Sequence, residues 1–410
     1  VATSPKPYPD FHIISKPFGP ICNLDCHYCF YLEKENLYPS TSKWTMPPEV
    51  LERFIEQYIA AQHSETVSFT WQGGEPTLAG LDFFERILAW QTQYARGKKI
   101  ENALQTNAVL IDDRWAEFLQ RHQFLVGVSL DGPRDLHDHY RLYKGGRSSF
   151  DDTLRGLKCL QKHGVEFNTL TVVNRKNSYE PLRVYEFLKQ VGSRYMQFLP
   201  VVERRAVQLP ADQLSLVHAH FAGAAEVTEW SVEPLQYGNF LCEIFNHWVR
   251  HDVAQYFVQI FDVSLGSWLG VEPALCVFRE TCGGALAIEH NGDLYSCDHF
   301  VYPEHRLGNL LQSSLDALVQ SPQQVQFGNA KRDTLPKYCQ NCEVRFACNG
   351  ECPKHRFTLT PDGEPGLNYL CPGYKRFFNH IHPYMTYMAR EIRAQRSAAS
   401  IMPLARANQL

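Results

Sequence analysis

The 410-residue chain has no apolar run of the roughly 18–20 residues that a membrane-spanning helix needs. A basic stripe is missing as well. Its 40 Lys and Arg and 44 Asp and Glu leave a net charge of −4, dispersed along the chain, whereas a nucleic-acid enzyme concentrates positive charge on one face. The start, Val1-Ala2-Thr3-Ser4-Pro5-Lys6-Pro7, has no apolar core of the kind a secretion signal carries. Low-complexity tracts are absent, and so is any repeat larger than a strand–helix unit. The expectation is a cytoplasmic protein that meets neither membrane nor nucleic acid. Its 13 cysteines then read as metal ligands rather than disulfides.

Those cysteines are unevenly spread. Cys159 and Cys242 stand alone and read as buried thiols behaving as small hydrophobes. Three lie in Cys22-x₃-Cys26-x₂-Cys29. A 4Fe–4S cube is normally held by four thiolates. Three leave one iron open, and an open metal position is where a small molecule can bind and react. A structural zinc site would pair cysteines differently, with a second pair far downstream. The remaining eight are Cys276, Cys282, Cys297, Cys339, Cys342, Cys348, Cys352 and Cys371. Eight thiolates suit two 4Fe–4S clusters or two zinc ions, and spacing alone permits several partitions.

The first half alternates strand and helix. Apolar, β-branched runs at Phe11–Ile14, Val67–Trp71, Ile100–Thr106, Leu125–Leu130, Val165–Val173 and Tyr195–Pro200 predict strands. Between them lie helical patterns, one opened by Pro47-Pro48-Glu49-Val50-Leu51 and the others at Leu81–Tyr94, Asp112–Arg121, Asp152–His163 and Tyr179–Val191. Asp112 and Asp152 suit N-caps and Gly164 a left-handed C-cap. Six strands alternating with helices predict an α/β fold, a partial (β/α)₆ barrel with its chemistry at the strands' C-terminal rim. Cys22–Cys29, Gly73-Gly74-Glu75-Pro76, Thr106-Asn107, Ser129 with Asp131-Gly132, and Asn174 all fall there. The expected divisions are a barrel over 1–208, a mixed connector over 209–273, a separate cysteine-rich domain over 274–375 and a helical tail over 376–410.

Ile21-Cys22-Asn23-Leu24-Asp25-Cys26-His27-Tyr28-Cys29-Phe30-Tyr31 resembles the signature of the radical S-adenosylmethionine (radical SAM) enzymes. The second cysteine set resembles their SPASM extension. With Trp71–Leu78, Ser129–Gly132, Cys297-Asp298-His299, Gly308-Asn309 and Cys352–Phe357, the chain is similar to the anaerobic sulfatase-maturating enzymes from Lys16 to about Tyr374. One departure is Thr106-Asn107-Ala108, where that family has Thr-Asn-Gly.

This resemblance implies three 4Fe–4S clusters: an open one on Cys22, Cys26 and Cys29, an inner auxiliary one on Cys276, Cys282, Cys297 and Cys352, and an outer one on Cys339, Cys342, Cys348 and Cys371. It implies S-adenosylmethionine as cofactor, a sulfatase polypeptide as substrate, and a flavodoxin or ferredoxin as electron donor. The implied reaction removes a Cβ hydrogen from a Cys or Ser through a 5′-deoxyadenosyl radical and yields Cα-formylglycine. Asp298 would be the base; a turn aspartate is the plainer reading. Gly73 and Gly74 would let a ligand approach the backbone, or simply make a turn. Glu75 would accept from the cofactor's ammonium, or be a solvated charge. Tyr28 would line the adenine site or pack; Ser129 would touch the ribose or cap a turn; Arg141 would join the same pocket. The competing enzyme reading is a SPASM maturase that cross-links a ribosomal peptide, and the competing binding reading is a zinc-stabilised scaffold.

Overall fold

The computed structural model describes residues 10–39, 43–210 and 214–409; the opening heptapeptide lies outside them. Six parallel strands follow in sequence order: β1 (His12–Ser15), β2 (Thr66–Trp71), β3 (Lys99–Thr106), β4 (Leu125–Ser129), β5 (Phe167–Val173) and β6 (Tyr195–Pro200). Helices α1 (Pro48–Ala61), α2 (Leu81–Tyr94), α3 (Asp113–Arg121), α4 (Phe150–Lys162) and α5 (Pro181–Gln190) connect them.

Local chemistry explains the boundaries. Pro48 opens α1, where its missing N–H costs nothing. The helix buries Val50, Leu51, Phe54, Ile55, Tyr58 and Ile59, one face of a 3.6-residue period. That face packs on β2, with Tyr58 and Phe69 rings edge to face at 5.0 Å. In β2 the strand period puts Val67, Phe69 and Trp71 inward toward the helices. Asp112 caps α3 by accepting from Trp115 N–H at 2.9 Å, and Gly164 takes φ +68° after α4. Asp152 does not cap. The helix opens two residues earlier, Asp138 accepts from Phe150 N–H, and Asp152 accepts from the Tyr143 hydroxyl instead.

The sheet does not stop at six strands. A strand at Phe257–Val258, β7, extends the β6 edge, and β8 (Ala285–Ile288) pairs parallel with β1, aligning His12 with Ala285 and Ser15 with Ile288. Antiparallel β9 (Asp293–Tyr295) and β10 (Arg306–Asn309) follow, giving the order β10-β9-β8-β1-β2-β3-β4-β5-β6-β7. The Asn291-Gly292-Asp293 turn joins β8 to β9. The expected separation at residue 274 therefore divides cysteine sets but not sheets. Four consecutive apolar residues, Ala285–Ile288, are too short a signal to reveal a strand buried at a barrel edge.

Helix α6 (Pro234–His251) lies in the expected connector. The last long helix, α7 (Cys371–Arg393), begins at a cysteine and buries Phe377, Phe378, Ile381, Met385 and Met388, so the expected tail is part of the core. Among the described residues no helix is long and apolar enough to cross a membrane.

Candidate active site and metal centres

Residues 16–31 form a loop after β1 that is clamped to the rim of β2. Gly74 N–H donates to Gly19 O at 2.8 Å and Glu75 N–H to Ile21 O at 2.9 Å. Within the loop Cys29 N–H returns to Cys26 O at 2.9 Å. The thiols of Cys22, Cys26 and Cys29 are close enough to act on one another electrostatically. Burial pushes Cys22 and Cys26 up to about 12, with Glu75 adding to the rise at Cys22 and Arg141 opposing it at Cys26. Thiols held this way gain from a cation or cluster that takes them as thiolates.

A Cβ at Gly74 would sit 2.0 Å from Ile21 O, so the close approach of the cysteine loop's own backbone already demands a glycine. Glu75 is buried, and its carboxylate already takes four protein donors. Oε1 accepts from Thr77 N–H, Thr77 Oγ1 and Thr106 Oγ1 at 3.1, 2.6 and 2.8 Å, and Oε2 accepts from Asn107 N–H at 2.8 Å. It ties the rims of β2 and β3 together, and only Oε2 has capacity left. Burial outweighs these donors and raises its pKa. Glu75→Gln replaces one acceptor with a donor facing N–H groups; a loss of about 1–3 kcal/mol is expected in a thermal or denaturant melt.

The residue after Asn107 shows how the departure from Thr-Asn-Gly is accommodated. Ala108 holds φ +61°, so the turn is kept at the cost of a left-handed alanine. Asn107 Nδ2 donates to Asn23 Oδ1 at 2.7 Å, joining the rim of β3 to the cysteine loop.

Tyr28 and Arg141 are partners. The Tyr28 hydroxyl donates to Asp131 Oδ2 at 2.5 Å and accepts from Arg141 Nη1 at 2.8 Å, and all three side chains are buried. Arg141 Nε has no hydrogen-bond partner among the described residues. A buried guanidinium N–H without an acceptor, beside Cys26, suits a site built for an anionic group. Ser129 Oγ accepts from Gln105 Nε2 at 3.0 Å at the end of β4.

The eight remaining cysteines gather in two fours. Cys297 feels Cys276 and Cys282, and Cys352 feels Cys297 and Cys282, all with burial as the first cause of a raised pKa. Cys348 feels Cys371 and Cys339, and Cys371 feels Cys339 and Cys342, in the same way. Cys339, Cys342, Cys348 and Cys371 line one small cavity. Their spacing tests the zinc alternative. A tetrahedral zinc with bonds of about 2.3 Å holds its sulfurs about 3.8 Å apart. Among the described residues no three of these thiols lie within 4.8 Å of one another, a wider spacing than one tetrahedral zinc sets between its sulfurs. Cys159 is not a buried hydrophobe: it is partly exposed and donates to Asp113 at 3.5 Å.

The cysteine loop and the inner four meet at Asp298. Lys16, at the end of β1, makes a buried ion pair with Asp298 and lies 4.4 Å over the Tyr31 ring. Tyr31 in turn donates to Glu289 Oε1 at 2.5 Å. Burial alone would raise the Asp298 pKa; Lys16, His299 and Lys354 outweigh it and hold the carboxyl below its ordinary value. Next door, His299 packs edge to face on Phe30 at 5.6 Å, and its Nδ1 lies 3.6 Å from Cys352 Sγ. Lys354 pairs with buried Glu203 and sits 4.6 Å over the Phe30 ring. Sequence reasoning named Asp298 but gave no role to Lys16, Asp131, Glu203, Glu289 or Lys354. The available signal was a charged residue directly abutting an apolar strand, as Lys16 does after His12–Ser15.

A profile of the Radical SAM superfamily matches residues 17–188, and one of the SPASM iron-sulfur cluster-binding domain matches residues 276–343. The chain is 46% identical over 391 residues to a serine-type anaerobic sulfatase-maturating enzyme of Bacteroides thetaiotaomicron, covering 95% of this chain and 94% of that one. It is 31% identical to a cysteine-type enzyme of Clostridium perfringens, covering 94% of this chain and 100% of that one. The solved structure of anSMEcpe with bound AdoMet and Cp18Cys peptide superposes with a TM-score of 0.81 at 30% identity, covering 94% of this chain and 100% of that one. The open cysteine loop, the clamped Gly-Gly-Glu rim and the two further cysteine fours thus sit in a chain that belongs to the anaerobic sulfatase-maturating enzymes, radical SAM oxidoreductases with a SPASM domain.

Proposed function

We propose that this enzyme oxidises a Ser or Cys side chain of a sulfatase polypeptide to Cα-formylglycine. The observation that carries the reading is the buried Asp298 carboxylate, held by Lys16 where the cysteine loop and the inner cysteine four meet. Its support from kinship is the similarity to serine-type and cysteine-type maturases over nearly the whole chain.

In this reading Cys22, Cys26 and Cys29 hold an open 4Fe–4S cluster, Cys276, Cys282, Cys297 and Cys352 an inner one, and Cys339, Cys342, Cys348 and Cys371 an outer one. Bound there, a reduced open cluster with S-adenosylmethionine would supply the one-electron chemistry that takes a hydrogen atom from carbon. The chain's own residues do the rest. Gly73, Gly74 and Glu75 present the β2 rim to the cofactor, Glu75 through its remaining Oε2 lone pair. Arg141, fixed by Tyr28 and Asp131, offers its free Nε–H to an anionic group, and Ser129 marks the β4 side of the pocket. Asp298, ionised at neutral pH, accepts the substrate hydroxyl or thiol proton; the electron left on the substrate would pass to the cluster that Cys276, Cys282, Cys297 and Cys352 would hold, and a thioaldehyde formed from Cys would be hydrolysed by water to the aldehyde. The buried ring of Tyr31 and the half-buried ring of Phe30 keep water from the reacting carbon. A flavodoxin or ferredoxin in a reducing cytoplasm would serve as electron donor.

Anaerobic turnover of the iron-replete, reduced protein with S-adenosylmethionine tests this. Peptides carrying Ser-x-Pro-x-Arg and Cys-x-Pro-x-Arg are compared, and the product is trapped with a hydrazine reagent before its mass is read. A hydrazone with matching 5′-deoxyadenosine is expected, with the serine peptide tried first because the serine-type relatives show the higher identity. A product that has lost two hydrogens but does not take up hydrazine is a cross-link, and would replace this reading by peptide cyclisation.

A further inference from the structure

Away from the cysteine fours, three groups of metal-capable side chains among the described residues have ligand atoms all within 4.8 Å of one another. Two are already neutralised. Lys162 donates to Asp113 at 2.7 Å in the group with Cys159 and His163, and Lys189 donates to Asp252 at 2.9 Å in the group with Glu186 and His247. A metal in either would have to displace an ammonium. The third is His218, Glu304 and His305. Among the described residues the only ion-pair partner of Glu304 is an imidazole, His218 Nε2 at 2.8 Å.

We propose that His218, Glu304 and His305 form a binding site for a divalent transition metal of the zinc class, separate from the cysteine clusters. Two imidazoles and a carboxylate are the donor set of zinc sites that keep a position open. The rings are held in place rather than free. His305 is wedged against Phe300 and Phe327, with ring centroids at 4.8 and 5.6 Å, and His218 against Tyr302 at 5.1 Å. For His218 to bind through Nε2 it must take its other tautomer. The bond given up is weak: His220 N–H reaches His218 Nδ1 only at 3.3 Å.

The surroundings supply the open side. Glu304 and His305 line a cavity of about 690 Å³ together with His220, Phe327, Lys331 and Phe357. That space admits water or a small anion to the free position, and His220 is exposed on the same wall, its ring centroid 6.3 Å from that of His218. The ligands come from two segments. His218 belongs to a stretch that Glu33 of the cysteine loop's flank grips through Ser215 N–H and Leu216 N–H at 2.8 and 2.9 Å, while Glu304 and His305 follow the inner-four ligand Cys297. A bound metal would clip these segments together beside the active site.

The test uses iron-replete protein purified without oxygen, dialysed against micromolar zinc chloride and desalted. Zinc is counted per chain and its K-edge X-ray absorption recorded. The expected result is about one zinc per chain, with nitrogen and oxygen scatterers at about 2.0–2.1 Å and no sulfur near about 2.3 Å. His305→Phe, which keeps an aromatic ring between Phe300 and Phe327, and Glu304→Gln should each weaken zinc retention by about tenfold or more, with iron content unchanged. A sulfur shell would assign the zinc to cysteine and overturn the site. Equal retention in both variants would do the same. Absence of zinc above the buffer level would reduce the group to a hydrogen-bonded His–Glu pair.

Discussion

Asp298→Asn is expected to keep wild-type iron content and 5′-deoxyadenosine release while aldehyde formation falls by about 10²–10⁴-fold, the range lost with a general base. Asparagine has nearly the size of aspartate and still offers Lys16 an oxygen, so the packing beside Cys297 is kept. It cannot take a proton. The substitution does leave the Lys16 ammonium buried without its counter-charge, and breaking a buried pair from one side costs about 3–5 kcal/mol. A fall in melting temperature is therefore expected as well, partly offset by the Tyr31 ring 4.4 Å below the ammonium. Lys16→Met combined with Asp298→Asn separates the two effects. Stability should return in the double variant and aldehyde formation should not. Product at the wild-type rate from Asp298→Asn would mean that another group is the base.

Gly74→Ala should abolish cluster loading, read as iron per chain falling to that of a protein without Cys22, Cys26 and Cys29. The added Cβ would lie 2.0 Å from Ile21 O and 2.7 Å from Pro20 C, and both are backbone atoms that no rotamer change can move. Relief requires shifting the loop by more than an ångström, and Cys22 is the next residue. Overpacking of this kind costs about 1–3 kcal/mol even where side chains can yield; here the Gly74–Gly19 and Glu75–Ile21 hydrogen bonds would be lost too. Gly73→Ala is the control. Its Cβ would meet Gly19 O at 3.1 Å and its φ of +144° would be strained, a milder defect that should lower stability while leaving most of the iron in place. Equal iron in all three proteins would show that the loop is not clamped as described.

The strands and helices of the barrel were legible because each is specified by its own residues. Thr66–Trp71 alternates, α1 repeats every 3.6 residues, and Asp112 sits one residue before its helix. The cysteine spacing was legible for the same reason. What escaped was every feature that joins distant parts of the chain. Nothing near Lys16 announces Asp298, and nothing near Glu203 announces Lys354, because a buried charge pair is visible only once the fold brings its halves together. Gly74 was noticed, but its clamp on Ile21 was not: a Cβ there would meet the cysteine loop's backbone, which only the fold brings close. The extension of the sheet by β8 was missed on length, since four apolar residues make a strand only when an edge awaits them.

That extension sets the order in which the molecule can be completed. During synthesis the strand at residues 12–15 emerges first and can pair with β2 early, but its other edge has no partner until residues 285–288 have left the ribosome. Until then the nascent barrel carries a bare row of backbone donors and acceptors, the kind of edge that recruits strands from other chains. Closing it demands a contact of very long sequence separation, which is slow to form. The strand that finally covers this edge comes from the same region as the inner cysteines, so the edge of the barrel and the inner cysteine four are completed by the same late stretch of chain.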